Sequence, residues 1–525
     1  MVFLRLLQKT YVKSLQRPWN DFLWHAQNLQ AAQEKKLQIM VQQNAGTAFG
    51  RTFQFGTVQN ARDFQSRVPI ADYEALTPWI ERIAKGESGV LTTQPVRIFE
   101  RTGGSTATNK LIPYTNGLLS DFSAATSPWF YDLYQNYPNL YGTRSYWSIS
   151  PVARARQKTE GGIPIGFEDD AEYFGPLTRW GMRKIQAVPS TVARLESLEN
   201  WRTQTLLGLL RCQNLGLLSV WSPSFLVLLM RELEQNFAWY LEQMPLTRRR
   251  QIEAGLAQKG QFVGEAFWPQ LCFVSCWTQG ASAHFVPELV RYFPNTPFQG
   301  KGLLATEGVV SFPLHNVEGS VLAARSHFYE FLDLGSPQKT PLLAHELQKG
   351  GEYSPLLSTS GGFYRYHLKD VLLCVGHYGQ LPLFRYQGKL DRVSDLCGEK
   401  INARQVEKAL ELAAAHFGIT PHFALLAPAL HPTPHYCLYL ESEESDEKLA
   451  LLCAAVERHL NTGHHYSYCR DLGQLAPMRW QRVRNGVQIF QETLLKQGLK
   501  AGDIKPTCLD ARLVWQEAFW GQSSP

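Results

Sequence analysis

The sequence predicts an α/β protein of several subdomains. A large N-terminal domain with parallel-type sheets carries a β-rich subdomain and is hinged to a small C-terminal α+β domain. Three observations predict this. Apolar strand-like runs alternate with amphipathic stretches through the middle of the chain, as in "LGLLSVW", "SPSFLVLLMRELEQNFAWYLEQM", "LCFVSCW" and "ASAHFVPELVRYFP". That is the pattern of parallel strands joined by helices. Residues from about 310 to 387 turn strand-rich ("SVLAARSHFYEFLDL", "GGFYRYHLKDVLLCVGHY", "LPLFRYQG"). Finally, a polar, glycine-bounded stretch, "GKLDRVSDLCGEKI" (388–401), precedes a new helix, "NARQVEKALELAAAHFG". The chain has 525 residues, and single cores stop growing near roughly 250–300. We therefore place a large domain at 1–387, a hinge at 388–400 and a small mobile domain at 401–525.

In chain order, residues 1 to about 95 read as helices, with Gly46 a stop signal after "AAQEKKLQIMVQQNA". "GVLTTQPVRIFE" alternates as a strand does, and "KLIPYT" is a second short strand. "RTGGSTATNK" (101–110) lies between them and is predicted as a loop. The most apolar stretch, residues 205–230, is interrupted by Arg211, Gln213, Asn214 and Ser222-Pro223. This argues against a membrane span and for helix, buried strand, then a new helix with Ser222 as N-cap and Pro223 as first residue. The acidic "ESEESDEK" (441–448) reads as a solvated loop.

Composition narrows the function classes. Charged residues make up 19% and the net charge is +6, with basic residues scattered. The densest run, "LTRRR" (246–250), reads as a solvated helix end rather than a nucleic-acid patch. Nine cysteines are spaced irregularly, and "MVFLRLLQKTYVK" carries charge too early for a secretory signal. Reduced thiols in a cytoplasmic protein fit this usage. Neither Cys272 with Cys276 nor Cys469 has a second half at zinc spacing.

The loop at 101–110 holds two glycines, four hydroxyls and a lysine. Backbone N–H groups, hydroxyls and a cation can converge on phosphate. It is not a Walker loop, and taken alone a structural turn explains it equally well. Three other segments add to it. "LLATEG" puts Glu307 just past an apolar run, where a strand of an α/β sheet would end and where ligands bind. A carboxylate there could hold Mg²⁺ beside a triphosphate. "YRYHLKD" ends in Asp370, a candidate for ribose hydroxyls. "GEK" brings Lys400 beyond the hinge, where domain closure could deliver it to phosphate. Each has a plain alternative: Glu307 as a helix-end carboxylate, Asp370 as an ion-pair partner, Lys400 as a surface lysine.

The order of these segments resembles the acyl-adenylate-forming enzymes. "SVWSPSFL", "SCWTQGASAHF", "QGKGLLATEGVVSFPL", "YRYHLKDV" and "DRVSDLCGEKI" resemble more closely the Gretchen Hagen (auxin-responsive) acyl acid amido synthetase family, its microbial members above all. "VPIADYE" and "GFEDDAEYFGPL" fit too, so the likeness runs from about residue 45 to 510. It implies a ligase that adenylates a carboxylic acid with Mg-ATP, releases pyrophosphate, and passes the acyl group to an amine or amino acid with loss of AMP. It also implies a monomer, and no nucleic-acid partner.

Carried over by position, the resemblance assigns Thr102, Gly104, Ser105 and Thr106 to the ATP phosphates, with Lys110 at the loop's end. It places Thr306 and Glu307 near the α-phosphate and the metal, Gly280 and Ala281 along the adenine, and Asp370 on the ribose. Lys389 matches the basic hinge residue. Lys400 matches the lysine arriving from the small domain, and Lys505 is a further catalytic candidate. Two departures stand out. The loop reads T-G-G-S-T-A where the family is nearer T-S-G-S-T-G, so Gly103 and Ala107 replace a hydroxyl and a glycine. His367 and Lys369 stand where relatives carry arginine and glycine. Two alternatives remain open: a thioester-forming synthetase acting on coenzyme A or a carrier protein, and a non-catalytic ligand-binding relative.

Overall fold

The computed structural model describes residues 2–102, 110–148, 157–166, 181, 184–195, 197–336, 341–390, 393–394, 396–397, 399–431, 433–471, 474–497, 499 and 504–519. They form two compact units. One holds 1–221, 229–278 and 288–386; the other holds 222–228, 279–287 and 387–525. Among the described residues no helix is long and apolar enough to cross a membrane.

The first unit begins with helices α1 (Val2–Ser14), α2 (Gln16–Gln27), α3 (Leu29–Asn44), α4 (Ala48–Thr52), α5 (Ala61–Arg67) and α6 (Tyr73–Ala84). Asn60 and Asp72 cap α5 and α6 by accepting from Asp63 N and Ala75 N, which supplies partners to otherwise orphaned N–H groups. Of the stretch 89–100 expected as a strand only its end is one, while the second expected strand is present. β1 (Ile98–Thr102) pairs antiparallel with β2 (Lys110–Tyr114), and Thr102 lies opposite Lys110. Thr115 then caps α7 (Asn116–Asn136).

The alternating middle forms a parallel sheet in the order β3-β6-β7-β8: β3 (Arg144–Trp147), β6 (Leu215–Ser219), β7 (Phe273–Ser275) and β8 (Phe298–Gln299). β6 is buried at every residue, as a strand covered on both faces should be. The helix Pro223–Gln235 starts at Pro223, as the sequence indicated. β4 (Gln157–Lys158) and β5 (Pro164–Ile165) join β1 and β2 in a small sheet.

β9 (Leu304–Ala305) and β10 (Gly308–Val309) make a hairpin of their own. Strand-rich residues then build the β subdomain from β11 (Ser311–Pro313), β12 (Ser320–Leu322), β13 (Phe328–Asp333), β14 (Pro341–Leu343), β15 (Glu352–Ser358), β16 (Tyr366–His367), β17 (Asp370–Tyr378) and β18 (Leu381–Lys389). Their order is β11-β12-β18-β17-β15-β13-β14, with β16 on β15.

In the second unit β19 (Val393–Ser394) pairs with β20 (Ile401–Asn402). β21 (Phe423–Ala429) and β22 (His435–Glu441) pair antiparallel, and β23 (Arg479–Arg482) adds in parallel to β22. Alternate residues serve opposite faces. Leu426, Leu438 and Leu440 pack with the helices Ala403–Phe417 and Asp446–Leu460. Leu425, Cys437 and Tyr439 pack with Phe490 and Trp515.

Two expectations are corrected. The acidic run is a loop only over 442–445: Glu441 ends β22, and Ser445 caps the helix Asp446–Leu460; Asp446 and Glu447 in its first turn suit the helix dipole. The arginine run is not wholly solvated. Arg248 is buried and donates to the carbonyls of Leu210 (2.7 Å) and Phe267 (2.7 Å). Among the described residues no two cysteines are joined in a disulfide.

Candidate active site

Glu307 sits in the two-residue turn between β9 and β10. The sequence put it past the end of a strand in the main sheet; among the described residues β9 instead pairs only with β10, so the carboxylate is presented by a separate hairpin. Two tyrosines brace that turn, and a third, Tyr73, holds the neighbouring strand β2. Tyr114, on β2, donates to the Thr306 carbonyl at 2.5 Å. Tyr366, on β16, reaches Glu307 Oε1 at 3.4 Å. Tyr73, at the start of α6, accepts from Leu111 N at 2.7 Å, and Lys110 Nζ lies 5.5 Å above its ring. Burial pushes both the Tyr73 and Tyr366 phenols up, and the Glu307 charge adds to each shift. Both therefore stay protonated. Thr102, Lys110, Thr306 and Glu307 thus share one neighbourhood, with β1 and β2 holding the two ends of the hydroxyl-rich loop. Gly104, Ser105 and Thr106 lie outside the described residues, as do Gly103 and Ala107.

A buried polar chain lies beneath the turn. Val309 N donates to His327 Nε2 at 3.2 Å. Gly308 comes so near that a Cβ there would sit 2.6 Å from the same nitrogen. His327 Nδ1 faces Asp121 Oδ2 at 3.5 Å, and Lys36 Nζ is 2.6 Å from Asp121 Oδ1. The 3.5 Å contact is an oriented charge interaction rather than a full hydrogen bond. Burial lowers the His327 pKa, so the imidazole is neutral and accepts through Nε2. Burial alone would raise Asp121, but His327 and the Lys36 ammonium hold its carboxyl below the ordinary range.

Asp370 opens β17 with 2% of its surface exposed. Its carbonyl accepts from Ser354 Oγ at 2.7 Å, and that hydroxyl lies 2.8 Å from His367 Nε2. Lys369 and Arg365 hold φ of +60° and +48°, a left-handed conformation that costs side-chain-bearing residues energy. Arg365 is fixed by Glu330, with Nη2 to Oε1 at 3.0 Å and exposures of 4% and 1%. It also donates to the Gln65 carbonyl at 2.8 Å. Burial pushes the Glu330 carboxyl up, and Arg365 opposes that shift.

The remaining candidates belong to the second unit. Gly280 and Ala281 start the 3-10 helix Gly280–Phe285. Lys389 ends β18 and is half-buried, as is Lys505. Lys400 is exposed and has φ +45°. Its neighbour Glu399 is buried and accepts from Leu396 N and Cys397 N, each at 2.7 Å, and from Tyr436 Oη at 2.5 Å. That carboxylate locks the turn and leaves Lys400 projecting.

Sequence reasoning missed the tyrosine brace, the Asp121–His327 chain and Glu399. Tyr73, Tyr114, Tyr366 and Glu399 all fall inside motifs singled out above, yet nothing local distinguishes a bracing tyrosine from a core one. Among the described residues no three His, Cys, Asp or Glu side chains group as a metal site. A divalent ion at Glu307 would take its other ligands from phosphate and water, as Mg²⁺ commonly does. A carboxylate in an open turn fits that donor set.

Comparison with known proteins bears on the family of the chain. The chain is 22% identical to a probable indole-3-acetic acid-amido synthetase of Arabidopsis thaliana, over 92% of this chain and 90% of that one. It is 23% identical to an indole-3-acetic acid-amido synthetase of Oryza sativa subsp. indica, over 93% and 91%. An acyl acid amido synthetase solved in complex with 2,4-DB superposes with a TM-score of 0.80 at 19% identity, covering 99% of this chain and 96% of that one. The profiles of the GH3 family N-terminal, central and C-terminal domains match residues 20–247, 320–389 and 404–512, and the chain belongs to that family.

Proposed function

We propose that this chain is an acyl acid amido synthetase. A substrate carboxylate oxygen attacks the α-phosphorus of ATP, the bond to pyrophosphate breaks, and an acyl-adenylate forms. An amine nitrogen then attacks the acyl carbon, AMP leaves, and the amine loses a proton. The chemistry needs two anions held in line and their charge offset, which is positioning plus electrostatics. The observation that carries the reading is the braced turn. Tyr114 and Tyr366 fix Thr306 and Glu307 beside the strands that frame the hydroxyl-rich loop.

In this reading Thr102, Gly104, Ser105, Thr106 and Lys110 hold the phosphates, and Thr306 holds the α-phosphate. Glu307 holds Mg²⁺, whose role when bound is to neutralise phosphate charge. Gly280 and Ala281 line the adenine and Asp370 takes the ribose. Lys389, Lys400 and Lys505 serve from the second unit. A large domain at 1–387, a hinge at 388–400 and a small domain at 401–525 form part of the same proposal, as do a cytoplasmic monomer and a place among the microbial members.

The test is ATP–pyrophosphate exchange with Mg²⁺ over aryl, indolyl, fatty and amino acids, without an amine. Acid-dependent exchange supports adenylation. Its absence, with ATP bound in a direct titration, counts against it. Amino acids against coenzyme A as acceptors then separate amide from thioester formation.

A further inference from the structure

The first helix is anchored by one face and bare on the other. Leu4, Gln8 and Val12 of α1 are buried. Gln8 donates through Nε2 to the Thr143 carbonyl at 2.9 Å and accepts through Oε1 from Gly142 N at 2.6 Å. The Tyr11 ring meets that of Phe130 on α7 edge-on, with centroids 6.4 Å apart. These contacts hold α1 as a fixed element of the first unit, so its outer face is in place before any partner arrives.

That outer face carries two kinds of side chain. Val2, Phe3 and Leu6 are 85%, 64% and 64% exposed. Arg5, Lys9 and Lys13 are exposed on the same helix, and Arg17 follows, also exposed, at the start of α2. Val2, Leu6, Lys9 and Lys13 recur at i, i+4, i+7 and i+11, which places them on one ridge of a helix. The apolar groups stand at its N-terminal end, with Arg5 among them and Lys9 and Lys13 beyond. No acidic residue precedes Asp21, and Asp21 is engaged by Arg325 at 2.7 Å. The hydroxyls of this face turn back onto their own helix. Thr10 Oγ1 donates to the Leu6 carbonyl at 3.0 Å, and Ser14 Oγ to the Tyr11 carbonyl at 2.6 Å. What the face offers a partner is hydrocarbon and positive charge. Large apolar side chains grouped in the open mark an interaction site.

We propose that this face docks on an anionic lipid surface. Val2, Phe3 and Leu6 enter the boundary of the acyl chains, and Arg5, Lys9, Lys13 and Arg17 meet the lipid phosphates. The match is one of charge and of chemistry. A bilayer interface sets hydrocarbon close beside phosphate and asks for no fixed hydrogen-bond register, which suits a face whose hydroxyls are already satisfied. A second copy of the chain is a poor occupant. A two-fold contact would set the four cations of one copy against the same four of the other. The attachment is peripheral, since α1 has 13 residues, too few to cross the hydrocarbon. The proposal stands apart from the ligase reading and holds or fails without it.

The test is sedimentation of the full chain, untagged at its N-terminus, with vesicles of phosphatidylcholine alone or with one third phosphatidylglycerol. Phe3→Ser/Leu6→Ser and Lys9→Glu/Lys13→Glu are run beside it. All four positions are exposed, and melting temperatures check that both variants fold; if one does not, the other decides. The native protein should partition onto the anionic vesicles at least about 10-fold more strongly than onto the neutral ones. Added salt should release it, because charges in the open are screened. A cation at an anionic surface is worth roughly five-fold, so the double lysine reversal should weaken binding by about 25-fold or more. Phe3→Ser/Leu6→Ser should weaken it by about 10-fold or more. No binding, equal binding to both vesicles, or binding that either folded variant leaves intact overturns the proposal. So does a native dimer in light scattering that the variants dissolve, which would give the face to a second copy.

Discussion

At the scale of single residues, two side chains make separable predictions. Lys400 is exposed and projects from a turn locked by Glu399. Lys400→Ala should therefore lower pyrophosphate exchange by about 100-fold or more, as loss of an electrostatic stabiliser does, with the melting temperature little changed. A large fall in melting temperature would make Lys400 structural. His327 behaves differently. The groups facing it are Asp121 and Lys36. Its folded pKa is lowered from 6.5, so the unfolded chain binds the proton first as pH falls. Stability should thus decline as pH drops below 6.5. Asp121, also lowered, acts in the same direction but only near and below its own ordinary value of 3.8. His327→Gln should flatten the fall in melting temperature between about pH 7 and 5. An unchanged slope would place the titrating group elsewhere.

At the scale of elements, caps and apolar runs made much of the fold legible. Asn402 and Gln405 form a capping box on the helix Ala403–Phe417, and Gly418 ends it at φ +64°; all three signals are local. The β9–β10 hairpin was not legible as a separate sheet, because two-residue strands carry no periodicity. Nor was the burial of Arg248, since its partners Leu210 and Phe267 lie beyond the run of arginines. The site was half legible on the same grounds. Its motifs lie in sequence order, but the tyrosines joining them act across distant elements. Arg365 illustrates such a join. It links β13, through Glu330, to α5, through the Gln65 carbonyl. Arg365→Met should cost about 3–5 kcal/mol by stranding a buried carboxylate, measured by urea unfolding. Adding Glu330→Gln should restore part of it. A loss in the double variant equal to the sum of the two single losses would show that the pair contributes no coupling.

At the scale of the whole molecule, the two units have separate cores. Chains built this way depart from a single cooperative transition. Calorimetry should give a calorimetric enthalpy above the van't Hoff value, and ATP with an acid should bring the transitions together. One two-state transition without ligand would contradict this. The first unit also closes on itself over long sequence distances. Gln33 on α3 donates to the carbonyls of Ala324 and His327, and Gln65 accepts from Arg365, 300 residues on. During synthesis at about 5–20 residues per second, that separation means a wait of roughly 15–60 seconds. For that interval the N-terminal helices leave the ribosome with their apolar faces uncovered. The order of birth therefore runs against the order of assembly, and the earliest segments must be sheltered until the last strands of the unit emerge to receive them.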